Sequence, residues 1–299
     1  MTGPAILHYL TPILLVYVLF GAPGGFLTRL VYLCVWLFAN VIYNFVYRMN
    51  VSSSKRVLES VPISHFVEKV RWALDKIGMP YTEEGEVVVM GILFKGRTVP
   101  TLHVGGRTRL GDSKQILEFL YGEDPDNRGF LKVEDKDKDL LKRLDRDYAP
   151  ALRKWLYHHV IPHKELCIKI WGKRIPEWQA ALLPYGLYQL VVFLIRYLLK
   201  LNAQTAQKSM EVVYDFKKEI EETLKDGRKY WNNKELTLMD IALCSYTGVA
   251  VCAPEYGGTG LTFEEVPESV LDKITEIRES VLGQYVLRLY KYVNFFRFP

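Results

Sequence analysis

His158, His159, His163 and Cys167 put four potential metal ligands into one short stretch. His159, His163 and Cys167 stand at i, i+4 and i+8, which on a single helix would stack two imidazoles and a thiol along one face, a donor set suited to zinc. Pro162 falls inside the stretch and disrupts the helix that this spacing assumes. No acidic support for the imidazoles is evident, so no metal is expected. Other residues with usable chemistry stand at helix starts. Ser64 precedes Phe66, Val67, Val70, Ala73, Leu74 and Ile77, which fall on one helical face, and Gly78 stands where that helix should stop. Asp112 and Ser113 precede Ile116, Leu117 and Leu120 in the same way. Thr237 and Asp240 have capping-box spacing ahead of an apolar run, with aspartate in place of the usual Glu or Gln. Asp240 is read as structural.

The elements that must position these residues lie in a chain of 299 residues with a formal charge of +5 and 24% charged residues. That balance is globular, excludes disorder, and gives no reason to expect nucleic acid as a partner. The four cysteines form no CxxC pair, which favours a reducing compartment over a disulfide framework. The average hides a break. Residues 1–50 carry Arg29 and Arg48 and no acidic residue. Within them, Phe26 to Tyr47 is apolar apart from Arg29 and as a helix would be about 33 Å long, enough to cross a hydrocarbon core of about 30 Å. An earlier apolar run, Pro4 to Phe20, is near the short limit for a span, and Gly21-Ala22-Pro23-Gly24-Gly25 separates the two. One or two transmembrane helices are therefore expected over residues 1–50. Arg48, Lys55 and Arg56 put the C-terminal part of the chain on the cytosolic or equivalent reducing side. The alternative is a buried apolar hairpin.

Two globular units are expected, over residues 55–123 and 136–299. In the first, strand candidates are Lys55–Glu59, Glu86–Met90 and Val99–Val104, with a tight hairpin at Gly105-Gly106. The expected order is β-α-β-β-β-α, that of a thioredoxin-like sheet. After a polar linker the chain reads as helices. Leu140 to Leu156 repeats at helical spacing with Pro150 bending or breaking the run, and Met210 to Leu224 is amphipathic and stops by Gly227. Pro267 to Tyr292 is a further helical stretch, interrupted at Gly283. Pro184 to Leu201 is apolar, with Arg196 and Lys200 near its end. It is read as a core helix or one lying on a membrane surface rather than as a third span.

The segment Ser64–Leu74, the triplet Val99-Pro100-Thr101, and Asp112-Ser113 followed by Ile116-Leu117, in this order, resemble the glutathione-binding domain of glutathione transferases. The resemblance covers about residues 56–299. Its second part is similar to a branch with a Tyr-His-His-x-x-Pro stretch, here Tyr157 to Pro162. It implies an α+β thioredoxin-like domain followed by an all-α domain, with glutathione as co-substrate and no metal. It further implies a cis bond at Val99-Pro100, with the Val99 backbone pairing with the cysteinyl part of glutathione, and Asp112 and Ser113 holding the γ-glutamyl end. Ser64 aligns with the residue that activates the thiol in serine-type members. A hydroxyl donor at a helix N-terminus lowers the pKa of a thiol whose reference value is about 8.5. The other reading of Ser64 is a plain N-cap. His65, Tyr157 and His158 are expected near the electrophile pocket.

These features are compatible with two functions. The first is a membrane-anchored glutathione transferase or glutathione-dependent peroxidase acting in detoxification on hydrophobic electrophiles or lipid peroxides, with membrane lipids around its anchor. The second is a non-catalytic, metaxin-like subunit or assembly factor of an organellar membrane complex. A homodimer is compatible with either.

Overall fold

A computed structural model of the chain describes Tyr17 and residues 24–49, 51–95, 99–106, 108–257 and 260–297. The apolar run Pro4–Phe20 lies outside the described residues apart from Tyr17. The segment expected to span a membrane is a helix, α1 (Phe26–Met49). Among the described residues no single helix is long and apolar enough to cross a membrane. One bent pair, Glu177–Tyr185 with Leu187–Leu199, meeting at 82°, has the length and composition to do so.

Next come β1 (Val51–Ser60), α2 (His65–Ile77), β2 (Thr82–Gly85), α3 (Val88–Lys95), β3 (Thr101–Gly106), β4 (Thr108–Gly111) and α4 (Ser113–Glu123). The sheet order is β2-β1-β3-β4. β1 pairs parallel with β2 and antiparallel with β3, in a register that sets Leu58 opposite Leu102. β3 and β4 form the hairpin, from Thr101 opposite Gly111 to Val104 opposite Thr108. Leu58, Leu102, Val67, Val70, Ile116 and Leu120 are fully buried between the sheet and α2 and α4. Each such side chain contributes about 1.5–3 kcal/mol.

The order is thus β-α-β-α-β-β-α, and the expected strand at Glu86–Met90 is corrected. The parallel ladder ends at Gly85, after which the Glu86 N–H donates to Ser60 O at 2.9 Å. The Val87 N–H donates to Gln179 Oε1 at 2.9 Å, turning the chain away from the sheet. α3 begins there, with Val87, Val89 and Met90 buried against Leu187, Val191 and Ile195. A short apolar run fits a strand or a helix equally well, and here a distant glutamine and a distant helix decide.

The remaining helices are α5 (Lys138–Arg143), α6 (Ala149–Val160), α7 (Lys164–Trp171), α8 (Glu177–Leu182), α9 (Leu187–Leu199), α10 (Ala203–Leu224), α11 (Leu238–Thr247), α12 (Glu268–Glu279) and α13 (Val281–Arg297). A π-helical turn, Leu144–Tyr148, separates α5 from α6 and places Pro150 in the first turn of α6, where its missing N–H costs nothing. The break in the C-terminal stretch falls at Ser280 rather than at Gly283, which lies inside α13. A Cβ on Gly283 would overlap the Ile277 and Arg278 carbonyls, so glycine is what lets α13 start against the end of α12. Asp240 is fully buried. It accepts from the Trp231 and Thr237 N–H groups at 2.7 Å each and from the Tyr285 hydroxyl, tying α11 to α13.

α9 is apolar on two sides. Leu187, Tyr188, Val191 and Ile195 are buried, while Leu190, Phe193, Tyr197 and Leu198 are exposed. α1 also exposes Phe26, Leu27, Val31, Val35 and Phe38. α3 lies in contact with both α1 and α9.

Candidate functional site

The loop before α2 is held from several sides. Arg71 donates to Pro62 O at 3.0 Å, the Tyr256 hydroxyl donates to Ile63 O at 3.2 Å, and the Ser64 N–H donates to Val61 O at 2.8 Å. Ser64 is the N-cap by backbone geometry, and its carbonyl accepts from the Glu68 N–H at 3.0 Å. Its hydroxyl, however, makes no capping hydrogen bond. Ser64 lines instead an apolar cavity of about 320 Å³ between the sheet domain and the helices. The start of α2 contributes Ser64, His65 and Phe66 to the wall; α3 contributes Val88 and Gly91; α6 contributes Arg153, Leu156, Tyr157 and Val160; α9 contributes Val191, Ile195, Leu198 and Leu199. Val99 completes the wall beside Ser64.

Polar groups gather at one end. His65 is 5% exposed, and its Nε2 is shut from solvent without a hydrogen-bond partner. Burial, with the cations Arg153 and Lys69 nearby, holds the imidazole well below its ordinary pKa, so it is neutral at pH 7. Burial pushes the Tyr157 phenol above its usual range against the pull of Arg153. Lys69 is buried one turn along α2 and pairs with Asp145 at 3.0 Å, and Asp145 also accepts from the Tyr246 hydroxyl. Burial lowers the Lys69 pKa despite Asp145. This ion pair anchors α2 to the π-helical turn and α11.

The neighbouring corner carries the other residues singled out in the sequence. The Val99–Pro100 peptide bond is cis. Pro100 O accepts from the Asp112 N–H at 3.1 Å, so the two motif pieces are joined directly. Asp112 caps α4, its Oδ1 accepting from the Gln115 N–H at 2.9 Å. Its φ of 97° is a conformation that non-glycine residues rarely adopt. The Asp112 carboxylate is exposed and its field reaches Lys69, while Ser113 is buried. The corner therefore offers a carboxylate and a helix N-terminus, and the cavity a free hydroxyl.

His65 and Tyr157 line the cavity; His158 does not. His158 lies with His159, His163 and Arg196 around a second depression. Cys167 donates to Val160 O at 3.3 Å, and burial pushes its thiol up to about 12. Among the described residues no three His, Cys, Asp or Glu side chains stand close enough to hold a metal ion.

No family model and no curated protein matches the sequence. Solved structures do match the fold. A glutathione S-transferase of Ceriporiopsis subvermispora in complex with glutathione superposes with a TM-score of 0.51 at 13% identity, covering 80% of this chain and 97% of that one. A second from the same organism, also in complex with glutathione, gives 0.50 at 12% identity, covering 81% and 99%. A glutathione transferase of Phanerochaete chrysosporium gives 0.51 at 11% identity, covering 80% and 97%. The chain has the glutathione transferase fold.

Within that fold the cleft between the sheet domain and the helices holds one side chain that sequence reasoning passed over. Arg153 stands one helical turn before Tyr157, at i and i+4, so both face the cavity from α6. A cation four residues before a polar aromatic, on a helix whose neighbours Leu152, Trp155 and Leu156 are apolar, was the available signal.

Proposed function

We propose that the protein is a glutathione transferase or glutathione-dependent peroxidase of the serine type. The observation that carries this reading is the Ser64 hydroxyl, which leaves its own helix uncapped and faces an apolar cavity. A serine needed only as a cap would bond a backbone N–H of the first turn, and this one does not. Around it the residues suit glutathione. Val99 offers its backbone at the wall, the Asp112 carboxylate suits the γ-glutamyl ammonium, and Ser113 with the α4 N-terminus suits the γ-glutamyl carboxylate. Ser64 would donate to the thiolate sulfur, favouring the charged form at neutral pH. The thiolate then forms a bond to an electrophilic carbon, either as the bond to a leaving group breaks and that group departs with the electron pair, or as a conjugated carbon–carbon π bond breaks and its carbanion takes a proton from water. With a peroxide it bonds to the terminal oxygen as the O–O bond breaks, the alkoxide leaves and is protonated to the alcohol, and a second glutathione thiol displaces water from the resulting sulfenic acid to give the disulfide.

The buried cysteines are poor candidates for the nucleophile. Burial pushes Cys167 and Cys252 up to about 12 and Cys244 well above its ordinary range, so none is a thiolate at pH 7.

Attachment to a membrane through the N-terminal segment, with the catalytic domains on the reducing side, is part of the same proposal. It is supported by the absence of acidic residues before Glu59 and by the apolar side chains that α1 and α9 present outward. The test is retention of the full chain on immobilised glutathione together with turnover of a hydrophobic electrophile. Ser64→Ala is expected to retain binding and fold while losing most of the turnover, because the cap bond of about 1 kcal/mol is not there to lose. Absence of glutathione binding by the wild-type chain sinks the reading and leaves the non-catalytic assembly role.

A further inference from the structure

Among the described residues Arg153 makes no ion pair, and its Nε is shut from solvent without an acceptor. The nearby cation Lys69 is neutralised by Asp145. Glu86, which also lines the cavity, accepts from Gln179. Arg153 is half-buried, so its guanidinium keeps part of its hydration, but the shut Nε is left without an acceptor unless a bound anion supplies one. Its planar fork is matched by a carboxylate. Two further groups lie near it at the cavity wall: Tyr157, whose phenol feels the charge of Arg153, and His65, whose Nε2 is buried and has no hydrogen-bond partner among the described residues. Apart from Glu86, which is held by Gln179, the wall beyond them is apolar, running past Val88 of α3 and Val191 and Ile195 of α9 to Leu198. Leu198 is also part of the exposed apolar side of α9 with Phe193 and Tyr197. The cavity therefore has one cationic pole and an apolar body that ends near an apolar outer surface.

We propose that this cavity binds a carboxylate-headed amphiphile, the head on Arg153 and the alkyl chain between α3 and α9. The proposal rests on the glutathione reading only in making this ligand the second substrate. The binding itself stands on the cavity. Tyr157 and His65 add hydrogen bonds to the head, and the apolar face of α9 puts the chain end where lipids can deliver it.

The test uses the full chain in phosphatidylcholine nanodiscs, titrated calorimetrically with octanoate and with octanamide, with empty nanodiscs subtracted. Both probes have the same chain, and one has the charge. Octanoate is expected to bind about tenfold or more tighter, the scale of a charge-assisted hydrogen bond. Arg153→Met is expected to bring octanoate to the level of octanamide and leave octanamide unchanged. Arg153→Lys, which keeps the charge and loses the fork, should fall between them. Equal affinities for the two probes in the wild type overturn the proposal without recourse to any variant, as does failure of both to bind. Glutathione affinity is measured alongside. If Arg153→Met leaves the octanoate preference intact and weakens glutathione instead, Arg153 holds a glutathione carboxylate and the proposal falls. If the wild type prefers octanoate but binds no glutathione, the transferase reading fails while the amphiphile site stands.

Discussion

Asp112 joins two roles in one carboxylate, and they separate on mutation. It caps α4 through Gln115 and stands, at a φ of 97°, beside Pro100 in the corner that would receive the γ-glutamyl group. Asn is as good a cap and has the same shape as the Asp already held in this backbone conformation, so Asp112→Asn should leave the denaturation midpoint nearly unchanged. It removes the charge, and glutathione affinity measured by calorimetry should weaken by about 1–3 kcal/mol. Wild-type affinity in this variant would refute the γ-glutamyl assignment. His65 carries a pH dependence. Burial keeps it neutral in the folded protein, whereas the unfolded chain takes up a proton near pH 6.5. Below that pH the unfolded state binds more protons, so stability falls as pH falls, by up to about 1.4 kcal/mol per pH unit, until the lowered folded pKa is reached. Denaturation curves between pH 7.5 and 5 should show this slope, and His65→Asn should flatten it. An unchanged slope in that variant would assign the effect elsewhere.

At the scale of elements, α2 is the part most constrained. Glu68, fully buried, accepts from Arg71 and from the Trp72 indole at 3.0 Å each, and from the Tyr290 hydroxyl and Gly257 N–H at 3.2 Å each. Arg71 also bonds Glu83 of β2, and Trp72 packs edge-on to Tyr290 of α13 at 5.0 Å. One carboxylate thus links α2 to α13 and the 257 loop, and the arginine links it to the sheet. Removing one partner of a buried ion pair leaves the other uncompensated, so Glu68→Ala should cost about 3 kcal/mol or more in chemical denaturation. Glu118→Ala, which breaks an exposed pair with Lys114, should cost less than about 1 kcal/mol. Similar costs for the two would show that the network does not hold α2. The helix α3 illustrates the opposite situation. Its secondary structure is set from outside, by Gln179 and the buried face of α9, and its own residues are compatible with either a strand or a helix.

For the whole molecule, the distribution of charge and apolar surface is the main feature. No acidic residue occurs before Glu59 or between Glu177 and Glu211, the two stretches that form α1 and α9. Arg29, Arg48, Lys55 and Arg56 remain in the first stretch and Arg196, Lys200 and Lys208 in the second, a balance that favours anionic lipid. In a flotation assay the full chain should rise with vesicles containing phosphatidylserine. The 51–299 fragment keeps all four strands and should stay folded while floating far less. An unfolded fragment would show that the contact of α1 with α3 and β3 is part of the core, and a full chain that stays at the bottom of the gradient would sink the membrane attachment.

Local patterns decided much of this protein before any folding was considered. The start of α2 at Ser64 and its end at Gly78, the cap of α4 at Asp112, the Thr237–Asp240 box and the composition break near residue 50 are all readable from neighbours within a few residues, because caps, turns and helical faces are short-range. The Val-Pro-Thr and Asp-Ser pieces point to glutathione only through the family resemblance, and the structure joins them in one corner through the Asp112 N–H and Pro100 O. What could not be read locally depends on partners far along the chain. Glu86 to Met90 satisfies strand and helix alike, and Gln179 settles it. The interruption falls at Ser280 because Gly283 is needed for close approach to Ile277. The Glu68–Arg71–Glu83 network looks in sequence like an ordinary charged helix face, and only burial against α13 turns it into an interior ion cluster. Arg153 reads as a solvated cation on α6. Its meaning arises when α2, α3 and α9 close an apolar cavity around it, since a charge becomes informative only where water has been excluded.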